Sequence, residues 1–318
     1  MKVEEGVSLL DVGLLDRRDI GREVDRVVTG LGTSLGWHYR LDLAWILSVL
    51  EASGIPKHAR IADAGAGNGV LQFLVAERGF DVLSIDYAER HINRLQHLTH
   101  RIKMGDSGQA FDTEYLRLLS KASGSKTART GRLRGRLSTA LTLLRFGPWF
   151  LGARILRGGS IEYHRADLSR LDAIPSASVD CVVSISAIEH VERPVLKRAI
   201  SELCRIVKPG GFVACTTSAS EGEDWFHKPS QGWCFSKQTL VDLFELPGEP
   251  ADWSDYESSM RRLKENRELQ DRLPAQYKLS GDNGMPWGVW NPQYLPVGII
   301  KKVGVNVPLV TAAPSALE

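Results

Sequence analysis

Cysteines and long hydrophobic runs are both scarce in this sequence. Its 318 residues include four cysteines, none in a CxxC pair, which argues against a disulfide scaffold or a zinc ribbon and favours a reducing compartment. The longest nearly apolar stretch, residues 137–156, contains two arginines. Because each would cost about 2.5 kcal/mol or more inside a bilayer, no transmembrane helix is expected. The first residues lack the apolar run of a signal peptide, so a cytoplasmic location is expected.

Net charge is also small. Forty Lys and Arg oppose 38 Asp and Glu, and the hydrophobic and charged fractions of 43% and 25% lie near globular averages. This balance predicts a folded protein without a whole-molecule field for nucleic acid or membranes. The charge is nevertheless uneven, since residues 101–160 carry a net charge of about +9 and the rest of the chain about −7.

Short apolar runs alternate with helical patterns over residues 59–218. The runs span 61–64, 82–86, 179–186 and 212–217, and the helical patterns between them span 70–78 and 195–207. Such alternation predicts parallel strands with crossover helices, whose strands read as unbroken apolar runs because both faces of the sheet are covered. The sequence Lys208-Pro209-Gly210-Gly211 should end the second helix before the next strand.

The flanking segments predict further elements. An amphipathic helix is expected over 39–52, and Ser236 should cap a helix over 237–245. Residues 255–272 predict a solvated helix, and residues 285–291 and 294–303 predict an antiparallel hairpin. The predicted organisation is a helical lead-in at 1–58, a catalytic domain at 59–304 with an insertion at 101–160 and a helical elaboration at 247–280, and a frayed tail at 305–318.

The insertion is basic and amphipathic. Its second half, residues 132–157, mixes six arginines with leucines and with Trp149 and Phe150. Three interpretations stay open: a lid packed on the core, a peripheral contact with an anionic membrane surface, and a site for a phosphate-bearing acceptor or nucleic acid. Nucleic acid is the least favoured, because the arginines mix with an apolar face rather than with spaced stacking aromatics.

A strand, a glycine loop and a helix follow one another in the segment ARIADAGAGNGV, residues 59–70. Glycines allow a ligand close to the backbone, and a helix amino terminus presents N–H groups to an anion. Asp86 closes the next strand, where a carboxylate can accept both ribose hydroxyls, and Asp167 closes the strand after that. The pattern predicts a nucleotide-type ligand.

In this order the motifs resemble those of the class I S-adenosylmethionine-dependent methyltransferases. The resemblance rests on DAGAGNG, SIDYAE, ADL, SISAIEHVE and KPGG, and it covers residues 39–245 apart from the insertion. It implies a doubly wound, mostly parallel seven-stranded α/β sheet of the Rossmann-like type with an antiparallel carboxyl-terminal hairpin. It also implies S-adenosylmethionine as cofactor.

The same resemblance implies where the cofactor would lie. Gly65 and Gly67 would border its methionine part, Asp63 would contact the amino end, and Asp86 would hold the ribose. Asp167 would meet the adenine amino group. The full set of cofactor-binding residues implied is Tyr39, Asp63, Gly65, Gly67, Asp86, Tyr87, Asp167, Leu168 and Ser184.

Two other functions fit parts of the pattern. A nicotinamide-dependent dehydrogenase would place its third fingerprint glycine, or an alanine, where this chain has Val70. A scaffold protein could keep the fold without turnover, but it would have no need for Asp63, Asp86 and Asp167 together. Cofactor binding and methyl transfer, measured separately, would distinguish the scaffold from the enzyme.

The acceptor site is expected just past the fourth core strand. His190 is the candidate general base. Two alternatives stay open: Glu189 and His190 only orient the loop, or, less favoured, they bind a metal. Tyr39 or Arg40 could meet the methionine carboxylate. The aromatic loop that follows the fifth strand suits a flat ring or a sugar; it contains Trp225, His227, Trp233 and Phe235. The expected acceptor is a small molecule or a glycan, as in polysaccharide biosynthesis, methylated on oxygen.

Overall fold

A computed structural model describes residues 3–89, 96, 99–105, 158–247, 253–279, 281 and 284–304. The tail at 305–318 and the segment 132–157, on which the membrane interpretation depends, lie outside these ranges. None of the helices within them is both long enough and apolar enough to cross a bilayer.

A parallel sheet forms the centre of the fold. Its strands are β2 (Arg60–Ala64), β3 (Asp81–Asp86), β4 (Arg101–Met104), β5 (Ser160–Arg165), β6 (Val179–Ile185) and β7 (Val207–Ala219). They lie in the order β7-β6-β2-β3-β5-β4. Residues in the middle of β2, β3 and β6 are almost completely buried, as expected for strands covered on both faces. The predicted α/β fold is confirmed.

An antiparallel edge extends this sheet. Strand β10 (Leu295–Lys302) pairs with β7 on one side and with β1 (Gly6–Leu9) on the other. Two short strands, β8 (Trp225–His227) and β9 (Gly232–Phe235), form a hairpin that joins the end of β7. The described residues therefore contain ten strands, not the seven of the prediction. The antiparallel carboxyl-terminal pairing is confirmed, but residues 286–288 form a 3-10 turn instead of a strand.

Helices cover both faces of the sheet. They are α1 (Arg18–Leu31), α2 (Tyr39–Ser53), α3 (Leu71–Glu77), α4 (Arg193–Ile206), α5 (Lys237–Leu243), α6 (Tyr256–Glu265) and α7 (Arg267–Asp271). Ser236 caps α5 as expected, since its hydroxyl accepts the Thr239 N–H at 3.2 Å. The helix predicted over 255–272 breaks at Asn266, whose side chain accepts the Leu269 N–H at 2.9 Å and starts α7.

The sequence Lys208-Pro209-Gly210-Gly211 does not separate a helix from a strand. Helix α4 already ends at Ile206, and β7 begins at the next residue. Gly210 has φ +87° and donates its N–H to the carbonyl of Val303 at 2.9 Å. Val179 and Cys181 of β6 pair with Val207 and Phe212 of β7, so the register shifts across residues 208–211. The two glycines therefore lie in an irregularity of β7 that resembles a β-bulge.

The segment between β3 and β5 contains a strand that the sequence did not reveal. Residues 101–104, expected to open the insertion, form β4 and pair in parallel with β5. The main chain then continues through residues 106–157, which lie outside the described ranges. The edge of the core sheet thus takes its last strand from the beginning of the predicted insertion.

Candidate cofactor and acceptor site

The loop after β2 has two glycines with different constraints. Gly65 has φ +70° and Gly67 φ +47°. A Cβ at Gly65 would lie 2.3 Å from the Cβ of Ala187, whereas the nearest atom to a Cβ at Gly67 would be 4.0 Å away. Protein packing therefore requires glycine at position 65, and Gly67 borders open space. Such a space beside exposed backbone fits a ligand that approaches the loop closely.

Asp86 ties this loop to the end of β3. Its Oδ2 accepts the Gly67 N–H at 2.7 Å and its Oδ1 accepts the Ala88 N–H at 2.8 Å. The carboxylate is almost buried. Charge-assisted bonds of this kind are stronger than neutral ones, so Asp86 holds the glycine loop in place. The loop and the carboxylate lie at one edge of the sheet, where the sequence resemblance places the cofactor.

Asp63 and Ser184 lie beneath the loop. Both are buried, and the Ser184 hydroxyl donates to the carbonyl of Ala64 at 2.8 Å. This bond joins the end of β6 to the end of β2. Ser184 therefore supports the loop from below, and its predicted contact with the cofactor stays a prediction, as does that of Asp63.

The predicted adenine-side residues meet at the ends of β3 and β5. The Arg165 Nε donates to the carbonyl of Tyr87 at 3.0 Å, and Tyr87 is 43% exposed. Asp167 is exposed and accepts the Ser169 N–H at 2.8 Å. Leu168 is buried, with its Cδ1 3.7 Å from the Cβ position of Gly65. Leu168 thus borders the glycine loop, and Tyr87 and Asp167 lie at the adjoining strand ends.

Tyr39 approaches the loop from the opposite side. Its phenol is hydrogen-bonded to Ser186, the residue before Ala187, and burial together with the carboxylates of Glu189 and Asp42 raises the pKa of Tyr39. Tyr39 therefore lies near the residues that contact the glycine loop, and its predicted contact with the cofactor stays a prediction. Arg40 forms an ion pair with Asp25 at 2.5 Å.

Glu189 and His190 are neighbours in sequence but have separate partners. Glu189 is buried and accepts the Ser186 hydroxyl at 2.5 Å and the Thr217 hydroxyl at 3.0 Å. His190 is exposed, and its Nδ1 lies 2.9 Å from the carbonyl oxygen of Gln231. Within the described ranges no three His, Cys, Asp or Glu side chains cluster as metal ligands would.

A buried His38–Asp42 pair adjoins this site and was missed by the sequence reasoning. Nδ1 of His38 lies 2.5 Å from Oδ2 of Asp42, and both side chains are buried. Burial opposes the charge on His38, but Asp42, with a smaller contribution from Glu189, raises its pKa. The sequence signal for this pair was a histidine followed four residues later by an aspartate at the start of a helix. It was missed because the rest of that helix is mostly apolar.

Aromatic rings form one wall above the strand ends. Tyr294 lies 5.3 Å from the ring centroids of both Trp37 and His227, and Trp225 lies 5.5 Å from His227. Burial lowers the pKa of His227, so this ring is neutral near pH 7. The rings cross at large angles, and the buried His38 also packs on this wall, 5.1 Å from the ring centroid of Trp37 and 6.0 Å from that of Tyr294.

The cysteines are not candidate nucleophiles. All four are free, and burial raises the pKa of each thiol. A thiol with a raised pKa is a poor nucleophile because the thiolate is the reactive form. Their occurrence is consistent with packing alone.

Residues 150–215 match a family model described as a methyltransferase domain. Among curated proteins none matches the sequence. The fold is similar to the cyclase SpnF, at 15% identity, covering 95% of this chain and all of that one, with a TM-score of 0.47. It is also similar to 1,6-didemethyltoxoflavin-N1-methyltransferase from Burkholderia thailandensis, at 13% identity, covering 91% and 84%, with a TM-score of 0.39.

A further similar structure is an S-adenosylmethionine-dependent methyltransferase from Methanosarcina mazei. The identity is 18%, the covered shares are 62% of this chain and 82% of that one, and the TM-score is 0.37.

The matched family segment contains β5, β6, α4 and most of β7, and it therefore includes Asp167, Ser186 and His190. The glycine loop and Asp86 lie on the neighbouring strands of the same sheet. Residues 150–215 of this chain therefore match a methyltransferase domain, and the glycine loop and Asp86, to which the sequence resemblance assigns the cofactor, lie on adjoining strands of the same sheet.

Proposed function

We propose that this chain is an S-adenosylmethionine-dependent methyltransferase that transfers the methyl group to a hydroxyl oxygen of a small-molecule or glycan acceptor. The observation that carries the proposal is the position of His190. Its exposed ring follows β6 three residues after Ala187, which contacts the glycine loop at Gly65. A group that can take a proton therefore lies at the mouth of the site, next to the loop that would hold the cofactor.

Bound S-adenosylmethionine supplies a methyl group on a sulfonium, so that the carbon–oxygen bond to the acceptor forms as the carbon–sulfur bond breaks. The protein's main task is to hold the acceptor in line. His190 takes the hydroxyl proton, which matters for an oxygen acceptor because a neutral hydroxyl is a weak nucleophile. Glu189, held by two hydroxyls, keeps the adjacent loop in place.

The proposed acceptor surface is aromatic. His227 lies on the same face of the hairpin as Gly232, which packs on His190, and its ring lies 5.5 Å from that of Trp225. Trp287 is 69% exposed, and Gly284 of the same segment packs next to His227. Exposed aromatic faces suit stacking on a flat ring or on the apolar face of a sugar. This supports both acceptor classes of the proposal.

His190→Gln tests the base. The variant should lower kcat by about 10²- to 10⁴-fold while the Kd for S-adenosylmethionine, measured by calorimetry, stays within about twofold. The acceptor is found first, by screening hydroxylated aromatics and oligosaccharides with methyl-labelled cofactor. His164→Gln is the matched control, since His164 binds Glu162 on β5 and should leave kcat unchanged.

Two results would contradict the proposal. A loss of kcat below threefold in His190→Gln would remove the base role. Tight cofactor binding without transfer to any hydroxylated acceptor would favour a non-catalytic scaffold or another acceptor atom.

A further inference from the structure

The tip of the β8–β9 hairpin packs directly on His190. The carbonyl of Gln231 lies 2.9 Å from its Nδ1. The next residue, Gly232, leaves little room, since a Cβ there would lie 3.1 Å from both His190 Cε1 and Glu189 Cγ. The hairpin therefore touches the loop after β6 through its backbone, at the residue proposed as base.

This contact determines which nitrogen of His190 carries hydrogen. A backbone carbonyl oxygen only accepts hydrogen bonds, so Nδ1 must donate. In the neutral ring the lone pair then lies on Nε2. An imidazole base needs its accepting nitrogen fixed by a partner on the other one, and in serine proteases a buried aspartate has that role.

Gln231 is held in an unusual backbone conformation to make the contact. Its φ is +54°, a left-handed conformation that is sterically unfavourable for a residue other than glycine. Its N–H donates to the carbonyl of Lys228 at 3.2 Å, and its side-chain amide donates to the same oxygen at 2.5 Å. These local bonds compensate the strain and fix the direction of the carbonyl.

The base of the hairpin is fastened to helix α4. Asp224 accepts hydrogen bonds from Arg193, from the Ser236 N–H at 2.6 Å and from the Thr239 hydroxyl at 2.9 Å. The guanidinium of Arg193 also lies 4.6 Å from the centroid of the Trp233 ring. Because α4 begins three residues after His190, the hairpin and the base are anchored to the same element.

We infer that the Gln231 carbonyl is a positioning group for His190, which holds the Nδ1–H tautomer and so makes Nε2 the proton acceptor in methyl transfer. The inference depends on the proposed function in one respect, namely that His190 is the base. The contact between the hairpin and the ring is independent of it.

The test is Gly232→Ala, which inserts a methyl group between the hairpin and the imidazole. With ¹⁵N-labelled histidine, the wild-type NMR spectrum at a pH above the imidazole titration should show Nδ1–H for His190. In the variant we expect a shift towards Nε2–H and a loss of kcat of at least tenfold, bounded by the roughly 10⁴-fold cost of a wrong tautomer in a serine protease. The Kd for S-adenosylmethionine should stay within about twofold.

Gly222→Ala is the matched control, because nothing lies within 4 Å of a Cβ there. Gln231→Gly should retain the Nδ1–H tautomer, since glycine adopts φ +54° freely. An Nε2–H tautomer in the wild-type protein would overturn the inference even if Gly232→Ala fails to fold. A changed tautomer with unchanged kcat would also overturn it. If His190→Gln keeps its activity while the wild-type ring is Nδ1–H, the base role fails and the contact stands.

Discussion

Asp86→Asn separates the two roles of the carboxylate that joins the glycine loop to β3. Asparagine has one accepting oxygen, whereas both oxygens of Asp86 accept backbone N–H groups. One buried N–H would lose its partner and face an amide donor, at a cost of about 1 to 3 kcal/mol, and the other bond would lose its charge assistance, about 1 kcal/mol more. The free energy of unfolding should therefore fall by about 2 to 4 kcal/mol.

At roughly 2 °C per kcal/mol for a chain of this size, the Tm of the cofactor-free protein should fall by about 4 to 8 °C. If Asp86 also binds the ribose, the Kd for S-adenosylmethionine should rise by about ten- to a hundredfold, the equivalent of losing one charge-assisted bond. Scanning calorimetry measures the first quantity, and isothermal titration calorimetry measures the second.

Asp81→Asn is the matched control at the other end of the same strand. Asp81 Oδ1 accepts the N–H and the hydroxyl of Ser160 at 2.8 and 2.7 Å, about 16 Å from Asp86 at the usual rise per residue of a strand. This variant should lose some stability and bind the cofactor normally. Equal cofactor affinity in both variants would refute the ribose role of Asp86, and an unchanged Tm in Asp86→Asn would refute the loop-holding role.

Three further predictions follow from the same region. Gly65→Ala should unfold the protein or lower its Tm strongly, because the new methyl would meet Ala187 at 2.3 Å. Gly67→Ala should cost only about 1 to 2 kcal/mol of stability but abolish cofactor binding by calorimetry; normal binding would mean that the cofactor does not border Gly67. The raised pKa of His38 means that its stabilising contribution is complete below the unfolded pKa of about 6.5 and is lost as pH rises through the folded value. Urea unfolding should therefore show the wild type losing its advantage over His38→Gln as pH rises from 5.5 to 9, and a pH-independent difference would refute this linkage.

Short, unbroken apolar runs made the core strands predictable from the sequence. Parallel strands covered on both faces must be apolar throughout, so β2, β3, β6 and the second half of β7 stand out. β1 and β4 did not, because four-residue strands are too short to show a pattern, and β4 has three residues that are exposed. Their positions depend on pairing partners distant in sequence.

The parts of the candidate site that depend on residue type, such as glycines and carboxylates, could be predicted from the sequence. The glycine loop and Asp86 lie together as their spacing indicated. The Gln231 carbonyl could not be predicted, because its direction follows from one backbone angle and every residue has a carbonyl. The pairing of Arg40 with Asp25 was also hidden, since it depends on how α1 packs against α2.

The pairing of β1 with β10 has a consequence for how the chain is made. Gly6 lies opposite Ile300, and Lys301 forms an ion pair with Glu5 at 3.1 Å. During synthesis from the amino terminus, β1 leaves the ribosome early yet has no partner until β10 has emerged. Until then the outer edge of β7 is also unpaired, which is a site for association between nascent chains. Chains released before residue 295 would keep that open edge, so full-length synthesis protects this protein against aggregation.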